Sequence, residues 1–363
     1  MKRRSFSFNG REIVESRLFY PIVALALILL FDAIFIPGFF SVEIKEGHLF
    51  GNLFDVLRNS APIIILAMGM TLVIATGGVD LSVGAVMAIA ASTACIMLNP
   101  NLVGIRLADV TREADPTYSA APLWSVFLVP LVLASLGGLW NGLLVAYGKI
   151  EPMVATLILM IAGRGIAQLV TNAIKIIIYN DTFLQLGNGW VLLLPFALFV
   201  AAAVFVVAWL LTRRTSLGMF IESVGINSRS SFFSGIDAKK IKLFAYVFCG
   251  FCAGIAGLIA VSSIRTSDAN QVGLYSELDA ILAVIIGGTL LGMCGRFSLL
   301  ASVIGALVIQ ATTTSTLAIG VPASAIIAVK ALVVIVVILL YSRQVQAFVL
   351  KTAGQARQRE VKS

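Results

Sequence analysis

The chain has 363 residues, of which 59% are hydrophobic and only 12% are charged. Its mean hydropathy is +1.00. A water-soluble domain has too little interior to bury so apolar a composition, which excludes a soluble fold. The formal net charge of +8 is typical of a membrane protein whose cytoplasmic segments are rich in Lys and Arg, and it does not indicate nucleic-acid binding.

Apolar runs of membrane-spanning length predict about ten transmembrane helices and an all-α integral membrane protein, a helical bundle built from two halves. The predicted spans lie at about 18–39, 60–77, 82–98, 123–147, 153–171, 190–212, 243–264, 279–294, 297–319 and 322–341. The mixed segment 40–59 is predicted to be an amphipathic helix at the outer interface, and Pro62 to lie near the first turn of the second span. Residues 265–278 are predicted to form an outer loop.

The distribution of Lys and Arg sets the predicted orientation of the bundle. With both termini in the cytoplasm, inner segments hold 18 of the 26 basic residues, outer segments hold six, and two lie within spans. Residues 1–17 are then the cytoplasmic N-terminus, 18–342 a single transmembrane domain, and 343–363 a basic cytoplasmic tail. The first apolar run is long and no small-residue cleavage site follows it, so it is predicted to be a retained span.

A polar loop at 213–242 interrupts the apolar pattern and carries six Lys or Arg, which places it in the cytoplasm. Gly225 is predicted to end a first short helix, and Asn227 to cap a second one that Gly235 closes. Asp237 is placed to cap the span that follows. The first helix has an apolar face made of Leu217, Phe220, Ile221 and Val224. That face either packs against the bundle or docks a cytoplasmic partner, and the pattern leaves both open.

Two pairs of glycines interrupt short spans, Gly77–Gly78 in the first half of the chain and Gly287–Gly288 in the second. Interrupted spans at corresponding positions of two halves indicate a substrate path between structural repeats. Close helix packing, for which glycine is also favoured, explains the same pairs.

Charged side chains within the predicted spans are candidates for function because the bilayer disfavours them. Asp80, which follows the first glycine pair, either lines a path or caps the third span through the amides of its first turn. Arg164 lies mid-span and contacts either a substrate or protein carbonyl and carboxylate groups. Asp32 and Lys330 are either paired or extended toward the interface.

Several uncharged polar side chains also lie on the spans or near their ends. A neutral, hydroxyl-rich ligand needs donors and acceptors of this kind, and interhelical hydrogen bonds need them as well. These residues are Asn141, Gln168, Asn172 and Gln310. Three carboxylates are predicted to crowd the outer mouth around the start of the eighth span: Asp268, Glu277 and Asp279.

The sequence contains a single histidine, no nucleophile paired with a base, and no GxxxxGK[ST] phosphate-binding loop. It is therefore predicted to hold no cofactor or metal of its own and to hydrolyse no ATP. The chain is predicted to be a conduit whose energy comes from elsewhere, and not an enzyme.

Four runs of sequence resemble the permease subunits of bacterial carbohydrate ABC importers, in the group that takes ribose, xylose, arabinose and galactosides. They are MTLVIATGGVDLSVGAVMAIAA (70–91), MVATLILMIAGRGIAQL (153–169), SLGMFIESVGIN (216–227) and ELDAILAVIIGG (277–288). Within this group the chain is most similar to galactofuranose importer permeases. The resemblance extends over nearly all ten spans.

The resemblance implies a multi-pass protein of the bacterial inner membrane, surrounded by lipid, that forms a sugar pathway with a second, related but different permease. It also implies a periplasmic sugar-binding protein and cytoplasmic ATP-binding subunits that carry ATP and Mg²⁺. The 213–242 loop would dock into the ATPase as a coupling helix. The positions that match the family there are Gly218, Glu222, Gly225, Asn227 and Gly235. Residues 228–233 depart from the family pattern, which affects the detailed contacts.

Together these observations give the pathway candidates Gly77, Gly78, Asp80, Asn141, Arg164, Gln168, Gly287, Gly288 and Gln310. An ABC permease for another pentose or hexose, or for branched-chain amino acids, would share the architecture. An ion-coupled secondary transporter is the alternative from a different class. It would need coupled carboxylates within the membrane, and the spans offer only Asp32 and Asp80.

Overall fold

The computed structural model describes residues 18–45, 48–98, 121–289 and 297–341. The predicted N-terminal segment 1–17 and the basic tail 343–363 lie outside the described residues. The same is true of most of the predicted outer segment that precedes the fourth span.

Helices dominate the described part of the chain. They are α1 (Phe19–Phe35), α2 (Asn52–Ala75), α3 (Val83–Leu98), α4 (Leu123–Ala146), α5 (Pro152–Val170), α6 (Asp181–Asn188), α7 (Phe196–Arg213), α8 (Leu217–Phe233), α9 (Ala238–Ile264), α10 (Ser276–Ile286), α11 (Leu299–Ala318) and α12 (Ile326–Tyr341). A 3₁₀ turn, Ala323–Ala325, precedes α12. Six of them, α2, α4, α5, α7, α9 and α11, are long and apolar enough to cross a membrane, and α1, α3 and part of α12 are shorter apolar helices.

Short antiparallel strand pairs lie between the helices. The strands are β1 (Glu43–Lys45), β2 (His48–Phe50), β3 (Ile176–Ile177), β4 (Trp190–Val191), β5 (Leu194–Pro195) and β6 (Thr266–Ser267). β1 pairs with β2, β3 with β6, and β4 with β5. The rings of Phe50 and Trp190 lie 5.7 Å apart. We call this side of the bundle the hairpin end and the opposite side, which carries α8, the α8 end.

The core is built around α2, which packs against α9 and α11. Its side chains Ile65, Met68 and Leu72 are fully buried, whereas α4, α5 and α7 expose one apolar face each. Because lipid can cover apolar faces, an apolar core together with exposed apolar faces fits a helix bundle in a membrane.

Close contacts between backbones let α4 and α9 approach each other. Gly138 of α4 packs against the carbonyl of Tyr246, and Gly250 of α9 packs against the carbonyl of Ala134. A Cβ at either glycine would overlap main-chain atoms, so glycine is required there for packing.

The structure corrects the prediction for residues 40–59. Instead of an amphipathic helix it has the β1–β2 hairpin, followed by the first turns of α2. Only two residues separate β1 from β2, a spacing typical of tight hairpins. Consequently Pro62 lies inside α2 and not near its start.

Other spans match their predicted positions more closely, with two exceptions at the ends. The sixth predicted span begins with the β4–β5 hairpin, and its helix α7 starts only at Phe196. The helix of the eighth predicted span, α10, begins before its predicted start, at Ser276, and ends at Ile286, immediately before the glycine pair.

We expect Gly138→Ala to lower the thermal unfolding midpoint in detergent, because its methyl group would push α9 away from α4 at a cost of about 1–3 kcal/mol. Gly165→Ala is the matched control, since nothing lies within 4 Å of the added Cβ and alanine is the better helix former. Equal midpoints for the two variants would contradict the packing role of Gly138.

Candidate functional site

In each glycine pair, one glycine ends a helix and the other packs closely against a neighbouring element. The glycine that ends the helix comes first in one pair and second in the other. Gly77 and Gly288 adopt left-handed conformations with φ of +87° and +77°. Each is the second residue beyond the end of a helix, and its amide and the next amide bond to carbonyls of the last turn, the usual glycine-terminated helix end. Gly78 lies against the Tyr246 hydroxyl, and Gly287 lies against the backbone at the start of α11. Helix termination and close packing thus account for all four glycines.

A buried polar cluster begins α3. The Asp80 Oδ1 atom accepts hydrogen bonds from the Ser82 amide at 2.9 Å and the Ser82 hydroxyl at 2.7 Å. The Asn141 amide nitrogen donates to the same oxygen at 3.2 Å and to the Ser82 hydroxyl at 2.7 Å. The Tyr246 hydroxyl donates to the Val79 carbonyl at 3.3 Å. Asp80 therefore caps the start of α3 by accepting the Ser82 amide and hydroxyl. Its hydrogen bond from Asn141 joins α3 to α4.

A segment of irregular backbone, residues 268–275, follows β6 and leads into α10; we call it the re-entrant segment. The Arg164 guanidinium donates to two of its carbonyls, Ala269 at 3.1 Å and Val272 at 2.5 Å. The Gln168 amide donates to the Asn270 side chain at 2.5 Å. Two predicted pathway residues on α5 thus hold this segment in place.

The position of Gly273 shows how far the re-entrant segment dips below the hairpin end. Gly273 packs against Gly84, three residues before Met87 on α3. Met87 packs against Gly257 of α9, which lies seven residues before that helix ends at Ile264. At 1.5 Å per residue these steps place Gly273 about 15 Å below the hairpin end. That is about half of a bilayer's hydrocarbon core, so the segment packs against α3 within the bundle, where the sequence predicts an outer loop.

The three carboxylates around the start of α10 have different partners. Asp268 accepts the amide of Asn270 at 2.9 Å. Glu277 is buried and interacts electrostatically with Arg164. Asp279 forms an ion pair with Lys330 of α12, with both carboxylate oxygens within 2.9 Å of the amine. The partners of Glu277 and Asp279 come from distant parts of the chain, which the local sequence does not reveal.

The remaining predicted polar residues lie apart from these groups. Gln310 is buried on α11 and donates to Thr314 of the same helix at 3.3 Å. Asp32 is fully buried on α1, which packs against α11. Asn172 is exposed just beyond α5 in a left-handed conformation. The structure does not bring them to Asp80 or to the re-entrant segment.

Helix α8 is kinked at Asn227, whose backbone is non-helical. Its side-chain oxygen accepts the amides of Arg229 and Ser230, each at 3.0 Å, so it caps the second half as predicted. Gly225 lacks a left-handed conformation and does not end the first half; that prediction is wrong, and the kink itself separates the two halves. Gly235 is left-handed, with φ of +83°.

Asp237 caps α9 by accepting the amides of Lys239 and Lys240. Slight desolvation raises the pKa of this carboxyl, but the hydrogen bonds and the Lys240 charge outweigh it and hold the pKa below its ordinary value. The charged form, which caps the helix best, is thereby favoured.

The two faces of α8 have different environments. Ile221 and Val224, from the predicted apolar face, are buried against the bundle, and Gly218 packs against the Thr212 carbonyl. Glu222 is partly buried. Other apolar side chains are exposed at the α8 end: Met219, Ile226, Phe232 and Phe233. The apolar face predicted for the first half of α8 therefore packs against the bundle. The four exposed apolar side chains were not assigned to that face and are open to solvent or to a partner.

Two substitutions of Asp80 test whether this residue acts as a helix cap or through its negative charge. We expect Asp80→Leu to lower the unfolding midpoint strongly, because it leaves the Ser82 amide and the Ser82 hydroxyl without their acceptor, at about 1–3 kcal/mol for each buried group. Asp80→Asn keeps one acceptor oxygen and should lose much less. An equally large loss of stability in both variants would show that the charge, and not the cap, matters.

The chain matches a known family over most of its length. The model of the family described as "Branched-chain amino acid transport system / permease component" matches residues 52–341. No solved structure gives a significant match to the chain.

Three relatives show how far the similarity extends. A galactofuranose transporter permease of Escherichia coli is 48% identical over 324 residues, which cover 89% of each chain. A fructose import permease of Bifidobacterium longum is 35% identical and covers 97% of this chain and 94% of the relative. A ribose import permease of Haemophilus influenzae is 33% identical and covers 93% of this chain and 97% of the relative.

Proposed function

Because this chain belongs to the branched-chain amino acid transport system permease component family, we propose that it is the membrane permease of an ATP-driven sugar importer. Galactofuranose is the proposed substrate. The observation that carries this choice is the 48% identity over 89% of both chains to a permease named for that sugar. The family description names amino acid transport, whereas the fructose and ribose import permeases that are also similar to this chain are named for sugars.

The partners of Arg164, Lys330 and Asp80 fit a neutral substrate better than an amino acid. A zwitterion needs a cationic and an anionic partner in the pathway. Arg164 is occupied by two carbonyls, Lys330 is paired with Asp279, and Asp80 caps α3. These groups are engaged within the protein, which favours a sugar over a branched-chain amino acid.

In the proposed topology ten helices span the inner membrane, with both termini and the α8 end in the cytoplasm and the hairpin end facing the periplasm. The basic residues of the α8 end support this orientation. A sugar-binding protein would deliver the substrate at the hairpin end. A second permease, related but different, would complete the path.

The energy would come from ATP-binding subunits that hold ATP and Mg²⁺ and dock at α8. Two observations support this contact. The buried face of α8 fixes the helix to the bundle, and the aromatic pair Phe232 and Phe233 remains exposed next to it. Exposed aromatic side chains are common anchors of protein interfaces. Motion of the ATPases would then move α8 and, through Asp237, the start of α9.

The proposal is tested by reconstituting the chain in proteoliposomes with the neighbouring ATPase, permease and binding-protein candidates. We expect ATP hydrolysis to rise with galactose, which contains the furanose form, when its binding protein is present, and not with leucine. Uptake that requires no ATPase and follows an imposed proton or sodium gradient would instead establish a secondary transporter, in which the buried Asp32 would be the candidate coupling carboxylate.

One variant within the same experiment tests the docking contact. Phe233→Asp should abolish co-purification of the ATPase, because a charge is placed in a desolvated interface. Leu192→Asp is the matched control, since Leu192 is 84% exposed at the hairpin end and Phe233 is 78% exposed at the α8 end. Wild-type ATPase binding by Phe233→Asp would contradict docking at this site.

A further inference from the structure

A polar patch is exposed on the re-entrant segment, at a depth where the surface of a membrane protein normally meets lipid. It consists of Gln168, Asn270, Gln271 and Tyr275, and we call it the amide–tyrosine patch. Asn270 and Gln271 are exposed, and Tyr275 exposes 46% of its surface. Gln168 is half-buried and bonded to Asn270. Three of these four polar side chains are exposed on the re-entrant segment, and the fourth is bonded to it.

The depth of this patch excludes lipid as its natural neighbour. Gln271 and Tyr275 flank Gly273, which lies about 15 Å below the hairpin end. Side-chain amides in contact with acyl chains cost free energy because no hydrogen-bond partner is available there. Irregular backbone at this depth is tolerated where it is buried in protein or lines a water-filled cavity. The patch is therefore suited to face water or another protein surface.

The backbone presents the tyrosine in an unusual conformation. Tyr275 has φ of +62°, a left-handed geometry that is uncommon for a bulky residue and costs about 1–3 kcal/mol. The surrounding contacts impose it: Arg164 fixes the carbonyls of Ala269 and Val272, and Gly273 is wedged against Gly84. The ring is consequently held outward from a rigid support at the start of α10.

The chemistry of the patch suits a neutral sugar. Amide groups both donate and accept hydrogen bonds, as vicinal hydroxyls do. An aromatic ring supplies a flat apolar surface with a polar tip, which fits the C–H face of a sugar ring.

A cavity elsewhere in the bundle does not offer these groups. The space of about 500 Å³ between α1, α11 and α12 is lined mainly by apolar side chains. The hydroxyls of Thr312, Ser315 and Thr316 at its edge donate to carbonyls of their own helix. That cavity is suited to a lipid acyl chain, and it leaves the amide–tyrosine patch as the better sugar surface.

We propose that the amide–tyrosine patch is the sugar-contacting surface of this chain, with Tyr275 stacking on the ring and Asn270, Gln271 and Gln168 reading its hydroxyls in a water-filled path. This inference rests on the proposed function as a sugar permease. Arg164 is then a positioning residue, because it acts by fixing the segment that carries the patch.

The test measures initial uptake rates of radiolabelled galactose, ribose and fructose in proteoliposomes with the complete transporter. Tyr275→Gly removes the ring and suits the left-handed backbone, so the segment is expected to keep its shape. We expect its kcat/KM for the preferred sugar to fall about tenfold or more. Tyr275→Phe keeps the ring and should stay within about threefold of wild type. Gln271→Ala should change the relative rates of the three sugars.

Two matched controls distinguish contact with sugar from general damage. Tyr179→Gly removes a tyrosine that is 44% exposed outside the patch, and Gln185→Ala removes an exposed amide on α6. Both should transport like the wild type. Co-purification of the partner subunits with Tyr275→Gly would show that the variant has folded and assembled.

The outcomes separate this inference from the function on which it rests. A wild-type complex that transports none of the three sugars overturns the proposed function, and this inference with it. Sugar transport by the wild type, with unchanged KM and sugar preference in Tyr275→Gly and Gln271→Ala, overturns the sugar-contacting role alone. Loss of assembly in Tyr275→Gly together with wild-type transport by Gln271→Ala also overturns it, because Tyr275 would then be structural.

Discussion

The described structure depends on one constraint, which is that irregular backbone inside a membrane protein must have its polar groups satisfied by protein. Arg164 meets this constraint for the re-entrant segment, because its guanidinium binds the carbonyls of Ala269 and Val272. A guanidinium suits this task, since it carries five donors in a fixed plane and stays charged. In turn the two carbonyls give the charge of Arg164 a partner within the bundle. Without this contact, both the cation and the non-helical backbone would be costly at this depth.

The same constraint explains why α3 and α10 begin or end inside the bundle. At the start of α3, Asp80 accepts the Ser82 amide, and at the ends of α2 and α10 left-handed Gly77 and Gly288 allow the last carbonyls to be bonded. At each interruption, a local cap therefore satisfies backbone groups at the helix end. Discontinuous helices of this kind expose polar groups along a path without leaving backbone unsatisfied. In this account the glycine pairs serve the path indirectly, by ending helices where the path needs them to end.

Local pattern was sufficient for some features and insufficient for others. The long helices were predictable because their apolar runs exceed the length of soluble core helices, and the caps Asn227 and Asp237 were predictable because capping depends on residues two or three positions away. The hairpin at 43–50 was mistaken for an amphipathic helix, since short mixed segments fit both periods. The position of the re-entrant segment depends on Arg164, more than a hundred residues earlier in the chain, so no local pattern could reveal it. The sugar-contacting role and the ATPase contact remain proposals.

The central claim is that the re-entrant segment lines water and not lipid, and cysteine labelling tests it most directly. A membrane-impermeant, charged thiol reagent would be applied from the side of the hairpin end to Gln271→Cys, with Ile161→Cys on the exposed apolar face of α5 as control. Of the four native cysteines, Cys95, Cys249 and Cys252 are buried and Cys294 lies outside the described residues. Labelling of the unsubstituted chain gives the background. The account predicts labelling of Gln271→Cys that added sugar slows, and none of Ile161→Cys above background. Equal lack of labelling at both positions would place the segment against lipid or in a dry contact and contradict the account.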